Sequence, residues 1–270
     1  MKKTAIKDKI NYCSEEELTE ARRKRTKEKS KRSADDANEA EEKEGAQGAQ
    51  GGALTELVFI LDRSGSMCGM EADTVGGFNS MISKQRSLEG EAYVTTVLFS
   101  NESEIIHDRI SLAEVPELTR RDYIPYGSTA LLDAIASTVT HISDIHRYIR
   151  AEDRPARTVF VITTDGMENA SRSYSAEQVR GMIREKETLG WEFLFLAANI
   201  DAIGTAEGLG IRADRAASYS TEKETLEMFD TVSDAVTLCR KLGKIEDGWS
   251  EPLSAKKGKK AGKPSGGLKP

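Results

Sequence analysis

VFILDRSGSM, Val58 to Met67, opens with apolar residues, stops at an aspartate and continues with two serines at every-other spacing around a glycine. An uninterrupted apolar run of this length suits a strand buried on both faces, as in a parallel sheet covered by helices. The aspartate then stands at the carboxyl end of that strand. In open α/β sheets this is the edge where ligands bind.

Working outward, three further runs have the same character: YVTTVLFS from Tyr93, RTVFVITTD from Arg157 and WEFLFLAAN from Trp191. Between them GGFNSMISKQRSL, TALLDAIASTVTHISDIHRYI, SAEQVRGMIREKETLG and TLEMFDTVSDAVTLCRKL place apolar residues three and four apart, the helical period. SEIIHDRISL from Ser103 follows LFSN so closely that only an antiparallel hairpin can join the two. AASYS near Ala216 adds a short last strand. The expected fold is therefore α/β: a doubly wound, mostly parallel six-stranded sheet with one antiparallel edge strand and helices on both faces.

Charge sets the limits of the folded part. The chain has 270 residues with 39 Lys/Arg and 45 Asp/Glu. Residues 1–53 hold 13 of the basic and 12 of the acidic residues, and residues 243–270 hold 7 and 3, which leaves 19 against 30 between Leu54 and Leu242. A net charge near −11 there excludes a nucleic-acid surface on the folded part, since phosphates require a basic field. Residues 1–53 read as a charged, partly helical or disordered arm and linker, with a capping-box pattern at Ser14 and Glu17 but no apolar stripe. Residues 243–270 read as a disordered Lys/Gly/Pro-rich tail, so the domain is expected to span 54–242. No apolar run approaches the roughly 20 residues of a membrane helix, and the start lacks the apolar segment of a signal peptide, so a cytoplasmic location is expected. The three cysteines are scattered with no C-x-x-C pair, which gives neither a disulfide framework nor a zinc site.

Asp62 and Asp165 both fall at strand ends, and a buried carboxylate requires a positive partner. A divalent cation satisfies two at once. Asp62, Ser64 and Ser66 lie on one turning loop, and Gly65 between the serines gives that loop its freedom. In YGSTALLDAI, Thr129 precedes a helix, where its hydroxyl either caps the helix or reaches a metal. Such an all-oxygen set suits magnesium or manganese better than zinc.

DRSGS, GST and TDG in this order resemble the metal-ion-dependent adhesion site of von Willebrand factor type A (vWA) domains, over roughly residues 54 to 242. The resemblance implies a doubly wound sheet. It also implies a metal (Mg2+, or Mn2+ or Ca2+) bound by the Ser64, Ser66 and Thr129 hydroxyls, with Asp62 and Asp165 coordinating directly or through water. The run LDRSGSM…TVGGFNSMI…VTTVLF…GSTALLDAI…FVITTDGMENAS…WEFLFLAANIDA is further similar to a stand-alone, intracellular bacterial branch of the family. The implied function is interaction with a protein that supplies an Asp or Glu to the metal. Arg63 is placed either to contact that carboxylate or simply on the surface.

Two other readings compete: a magnesium-dependent phosphoester hydrolase and a metal-free structural scaffold. Against the hydrolase, Ser64 stands where an aspartyl-phosphate mechanism needs a second acid two positions after Asp62. There is also no G-x-S-x-G elbow, no phosphate-binding P-loop and no histidine placed as a base. A non-enzymatic protein is expected.

Overall fold

The computed structural model describes residues 53–198, 201–219 and 222–253. The expected N-terminal arm and the tail beyond residue 253 lie outside the described residues. Strand β1 (Thr55–Asp62) is buried along its whole length. It is flanked by β2 (Ala92–Phe99) and β4 (Arg157–Thr164), both parallel to it. Next to β4 stands β5 (Trp191–Ala198), with β6 (Ala216–Tyr219) at that edge. At the other edge β3 (Ser103–Ser111) pairs antiparallel with β2. The order is β3-β2-β1-β4-β5-β6, the doubly wound arrangement the sequence predicts.

Alternation along β1 splits the core into two. Leu57, Phe59 and Leu61 point to the face covered by α1 (Glu71–Arg86) and α5 (Glu222–Leu242). Val58 and Ile60 point to the face covered by α2 (Leu131–Tyr148), α3 (Ala176–Thr188) and α4 (Ala202–Leu209). This burial on both sides is why the strand carries no polar alternation. Helices α1 and α5 approach closely at Gly77, where an added Cβ would fall 2.3 Å from the Phe229 ring. At the β3 edge the register shifts opposite Thr96, and Arg109 takes φ 49°, which carries its guanidinium onto buried Glu56 at 2.8 Å. An edge bent this way resists pairing with another strand.

Two features depart from the sequence reading. Helix α4 was not expected, because AIGTAEGL carries two glycines and only a narrow apolar face. Its ends compensate: the Asp201 side chain accepts from Gly204 N at 3.0 Å, and Gly210 closes it in the left-handed conformation. The boundary at Leu242 is also too early. Ile245, Trp249 and Leu253 are buried in the α1/α5 core. They are tied down by Trp249 Nε1 to Asp214 O at 2.8 Å and Arg215 Nη2 to Ile245 O at 2.9 Å. Three apolar residues four apart supply the buried surface, and the lysine-rich composition of the wider tail masks them.

Candidate metal centre

The sheet winds outward from β1 in one direction and from β4 in the other, so the two strands flank the switch point where a doubly wound sheet leaves a crevice. Asp62 ends β1 and Asp165 follows β4. Thr164 Oγ1 donates across the strands to Asp62 Oδ2 at 2.6 Å, and Asp62 Oδ1 accepts from Ser64 N at 2.7 Å. The second bond folds the loop back on the strand end. The residues after it then turn through a short 3-10 segment, Gly65–Met67.

That turn brings the two serine hydroxyls to 3.0 Å from each other and lets Ser66 Oγ donate to Asp165 Oδ1 at 2.6 Å. Thr129 completes the group from a third loop. Its Oγ1 lies 3.0 Å, and Ser66 Oγ 3.4 Å, from where a Cβ on Gly166 would stand. The absence of a side chain at Gly166 thus leaves a small space between hydroxyls of different loops. Asp62, Ser64, Thr129 and Asp165 are buried, while Ser66 is exposed and opens the group to solvent. All five residues singled out in the sequence converge. Among the described residues no group of three or more His, Cys, Asp or Glu forms a candidate metal cluster. Two carboxylates and three hydroxyls are a hard-oxygen set.

Thr129 is not the cap of its own helix. Ala130 occupies the cap position without a side-chain bond, and the loop after β4 supplies the acceptors instead. Asn169 Oδ1 accepts from Thr129 N at 2.9 Å, Glu168 Oε2 from Leu132 N at 3.0 Å and Ser171 Oγ from Asp133 N at 3.1 Å. In return Asp133 accepts from the backbone of Arg172, Ser173 and Tyr174. These reciprocal bonds fix Thr129 against the Asp165 loop. On the opposite side Gly65 N donates to Gly127 O at 3.0 Å, Tyr126 N to Arg63 O at 2.9 Å and the Tyr123 hydroxyl to Asp62 O. Sequence reasoning did not identify these supporting residues, because each acts across 36 to 63 positions of chain.

Arg63 is corrected by the structure. It is buried, with Nη2 3.0 Å from Glu104 Oε2 on β3 and its guanidinium 5.3 Å from the Tyr126 ring centroid, so it is neither a surface residue nor free to grasp a partner.

Electrostatics favour a bound cation. Burial raises the Asp62 carboxyl above the usual aspartate range, against the lowering pull of its hydrogen bonds from Thr164 and Ser64, and the charge of Asp165 adds to the rise. Burial likewise raises Asp165. Tyr123 is pushed well up by burial and next by Asp62, so its hydroxyl keeps the proton it donates. Two carboxylates that resist ionisation for want of solvation gain most from a positive charge between them.

No family model matches the sequence, and no curated protein matches it either. Solved structures do. The vWF domain of the type V pili tip protein Mfa5 from Porphyromonas gingivalis superposes with TM-score 0.53 at 9% identity, over 73% of this chain and 98% of that one. The chain has the vWA fold. The pilus adhesin SpaC from Lactobacillus rhamnosus GG is similar at TM-score 0.54 and 9% identity, covering 71% of this chain and 31% of that one. Proximal thread matrix protein 1 from the mussel byssus is similar at TM-score 0.50 and 13% identity, covering 68% and 46%. The chain thus spans less than half the length of the mussel and Lactobacillus chains. At these identities the likeness to vWA structures concerns the fold.

Proposed function

We propose that this vWA-fold domain is a divalent-cation-dependent protein-interaction module, not an enzyme. In this reading Asp62, Ser64, Ser66, Thr129 and Asp165 hold one magnesium or manganese ion, and a partner protein supplies an Asp or Glu carboxylate to it. The observation that carries the reading is the convergence of two buried carboxylates and three hydroxyls from three loops at the switch point of the sheet. When bound, the ion supplies a Lewis-acidic position that accepts an anionic oxygen. The chain's own residues orient the oxygens: Thr164 and Ser64 N hold the Asp62 carboxylate, and Ser66 holds Asp165.

A binding role is supported by where the histidines are spent. His107 is buried in the sheet beside Thr96 Oγ1 at 3.0 Å, His141 Nε2 lies 2.8 Å from Asp108 and His146 packs on Trp191. None of these contacts is at the five-oxygen site, so no histidine stands there to serve as a general base. Among the described residues no helix is long and apolar enough to cross a membrane.

Titration calorimetry of the full chain with MgCl2, MnCl2 and CaCl2 tests the site. One ion per chain is expected for the wild type and none for Asp62→Ala or Asp165→Ala, each retaining the far-ultraviolet dichroism of the fold. Equal affinity in wild type and both variants would refute the assignment.

A further inference from the structure

We infer that Tyr126, held face-on over buried Arg63, is an apolar anchor beside the cation site, and that with Ile124 and Met167 it selects a partner segment in which the coordinating acid is flanked by a large apolar side chain. The inference rests on the metal-bridge reading above and adds the chemistry of what lies next to the carboxylate.

Three of the large apolar side chains left exposed among the described residues stand on the two loops that carry Thr129 and Asp165. Ile124 is 43% exposed, Tyr126 40% and Met167 72%. Met167 follows Asp165 by two residues, and Gly166 between them borders both the Ser66 and Thr129 hydroxyls. Tyr126 precedes Thr129 by three residues, and its N–H is bonded to the carbonyl of Arg63, next to Asp62. The apolar residues therefore stand on loops on both sides of the oxygen site. They are not the remains of a poorly covered core, since the neighbouring Tyr123, Met67 and Ala130 are fully buried.

Arg63 explains why Tyr126 is fixed. Its guanidinium is sequestered, with Glu104 on one nitrogen, the Tyr126 ring at 5.3 Å and Nε buried without a hydrogen-bond partner. Burying a guanidinium incompletely bonded is costly, and the compensation visible here is a charged pair to β3 plus a ring laid over it. A tyrosine restrained in this way loses little conformational freedom when a partner covers it, the property that makes rigid aromatic residues frequent binding hot spots. Charge points to a single acid on the partner. The basic residue of the metal loop is already neutralised by Glu104, and the domain around it is strongly acidic, so a cluster of partner carboxylates finds no compensation from Arg63, whereas one carboxylate on the ion flanked by apolar groups does not need any.

The test is to pan a phage-displayed random dodecapeptide library on the full chain in MgCl2, eluting with acid so that metal-dependent and metal-independent binders are both recovered, and to measure the enriched peptides by fluorescence anisotropy in MgCl2 and in EDTA. The expected peptides carry one Asp or Glu with Leu, Ile, Met, Phe, Tyr or Trp within two positions. Their affinity should fall at least tenfold in Tyr126→Ala and severalfold in Met167→Ala, and be largely kept in Tyr126→Phe. Magnesium affinity is measured on the same variants. Magnesium-dependent peptides without an apolar flank, or with affinities unmoved by Tyr126→Ala and Met167→Ala, would overturn the inference and leave the metal bridge standing. Peptides that bind equally in EDTA and to Asp165→Ala would overturn both.

Discussion

Gly166→Ala is the sharpest probe of the candidate metal centre, because it alters no proposed ligand. The new methyl would stand 3.0 Å from Thr129 Oγ1 and 3.4 Å from Ser66 Oγ. Carbon and oxygen in ordinary contact stand farther apart than the first distance, so the threonine hydroxyl must retreat by a few tenths of an ångström. The backbone adds no penalty of its own, since Gly166 is not among the glycines with positive φ. The backbone of Thr129 is tied to Asn169 and Ala170, which limits how far the residue can retreat. Overpacking at a constrained position costs about 1 to 3 kcal/mol. Magnesium requires near-ideal geometry and tolerates displaced oxygens poorly. If even about 1.4 kcal/mol of this cost falls on the ion-bound state, affinity drops tenfold. Calorimetry should therefore show at least a tenfold weaker magnesium site in Gly166→Ala, with the calcium site less affected because calcium accepts longer and more varied distances. Unchanged affinity for both ions would mean that the Thr129 and Ser66 hydroxyls do not face a common ion, and the reasoning from convergence would fail.

Asp165→Asn should raise the melting temperature in EDTA at pH 7 while abolishing magnesium binding. The sign follows from the raised carboxyl: the folded chain keeps its proton to higher pH than the unfolded chain, so the aspartate's unfavourable effect is absent below the ordinary aspartate range and sets in as pH rises through the raised value. The difference between variant and wild type in EDTA should be near zero at acid pH and grow toward neutrality, and a difference of opposite sign would refute it. Trp249→Ala should cost about 3 kcal/mol in urea unfolding, in the range of large aromatic deletions from a core, and a chain ending at Leu242 should be less stable than one ending at Leu253. Equal midpoints for those two chains would show that the segment after α5 contributes nothing.

The central strands were legible because a strand buried on both faces has no room for polar residues, and β1, β2, β4 and β5 are nearly continuous apolar runs. The hairpin was legible from the few residues between Phe99 and Ser103. Helix α4 was not, since its stability comes from the Asp201 cap and the Gly210 stop more than from its own propensity. The five oxygen-bearing residues stood out by position: three on one loop, and two at the ends of elements that the winding brings to one edge. What supports them did not stand out. That Thr164 aligns the Asp62 carboxylate depends on the β1–β4 pairing, and that Glu168 caps a helix 36 residues earlier depends on loop geometry. Arg63 was misjudged for the same reason. Nothing local in DRSGS announces that Glu104, on the far strand of a hairpin, will bury and neutralise it.

The hydrogen bonds among the site residues bear on how the site would accept an ion. Ser66 donates a hydrogen bond to Asp165 and Thr164 donates one to Asp62, so each carboxylate is already aimed by a hydroxyl from another element of the chain. A serine hydroxyl that donates a hydrogen bond to a carboxylate still has lone pairs for a cation, and a carboxylate that accepts one such bond still has acceptor capacity. The same bonds can then persist with an ion present, which keeps the cost of reorganisation low. Backbone ties on both sides, Gly65 N to Gly127 O and Asn169 N to Thr129 O at 3.1 Å, hold the three loops at fixed separation without using any of the oxygens proposed to bind metal. The backbone ties between the loops and the five site oxygens are thus separate groups. This separation is what lets the site carry two buried, poorly solvated carboxylates while the surrounding loops stay packed.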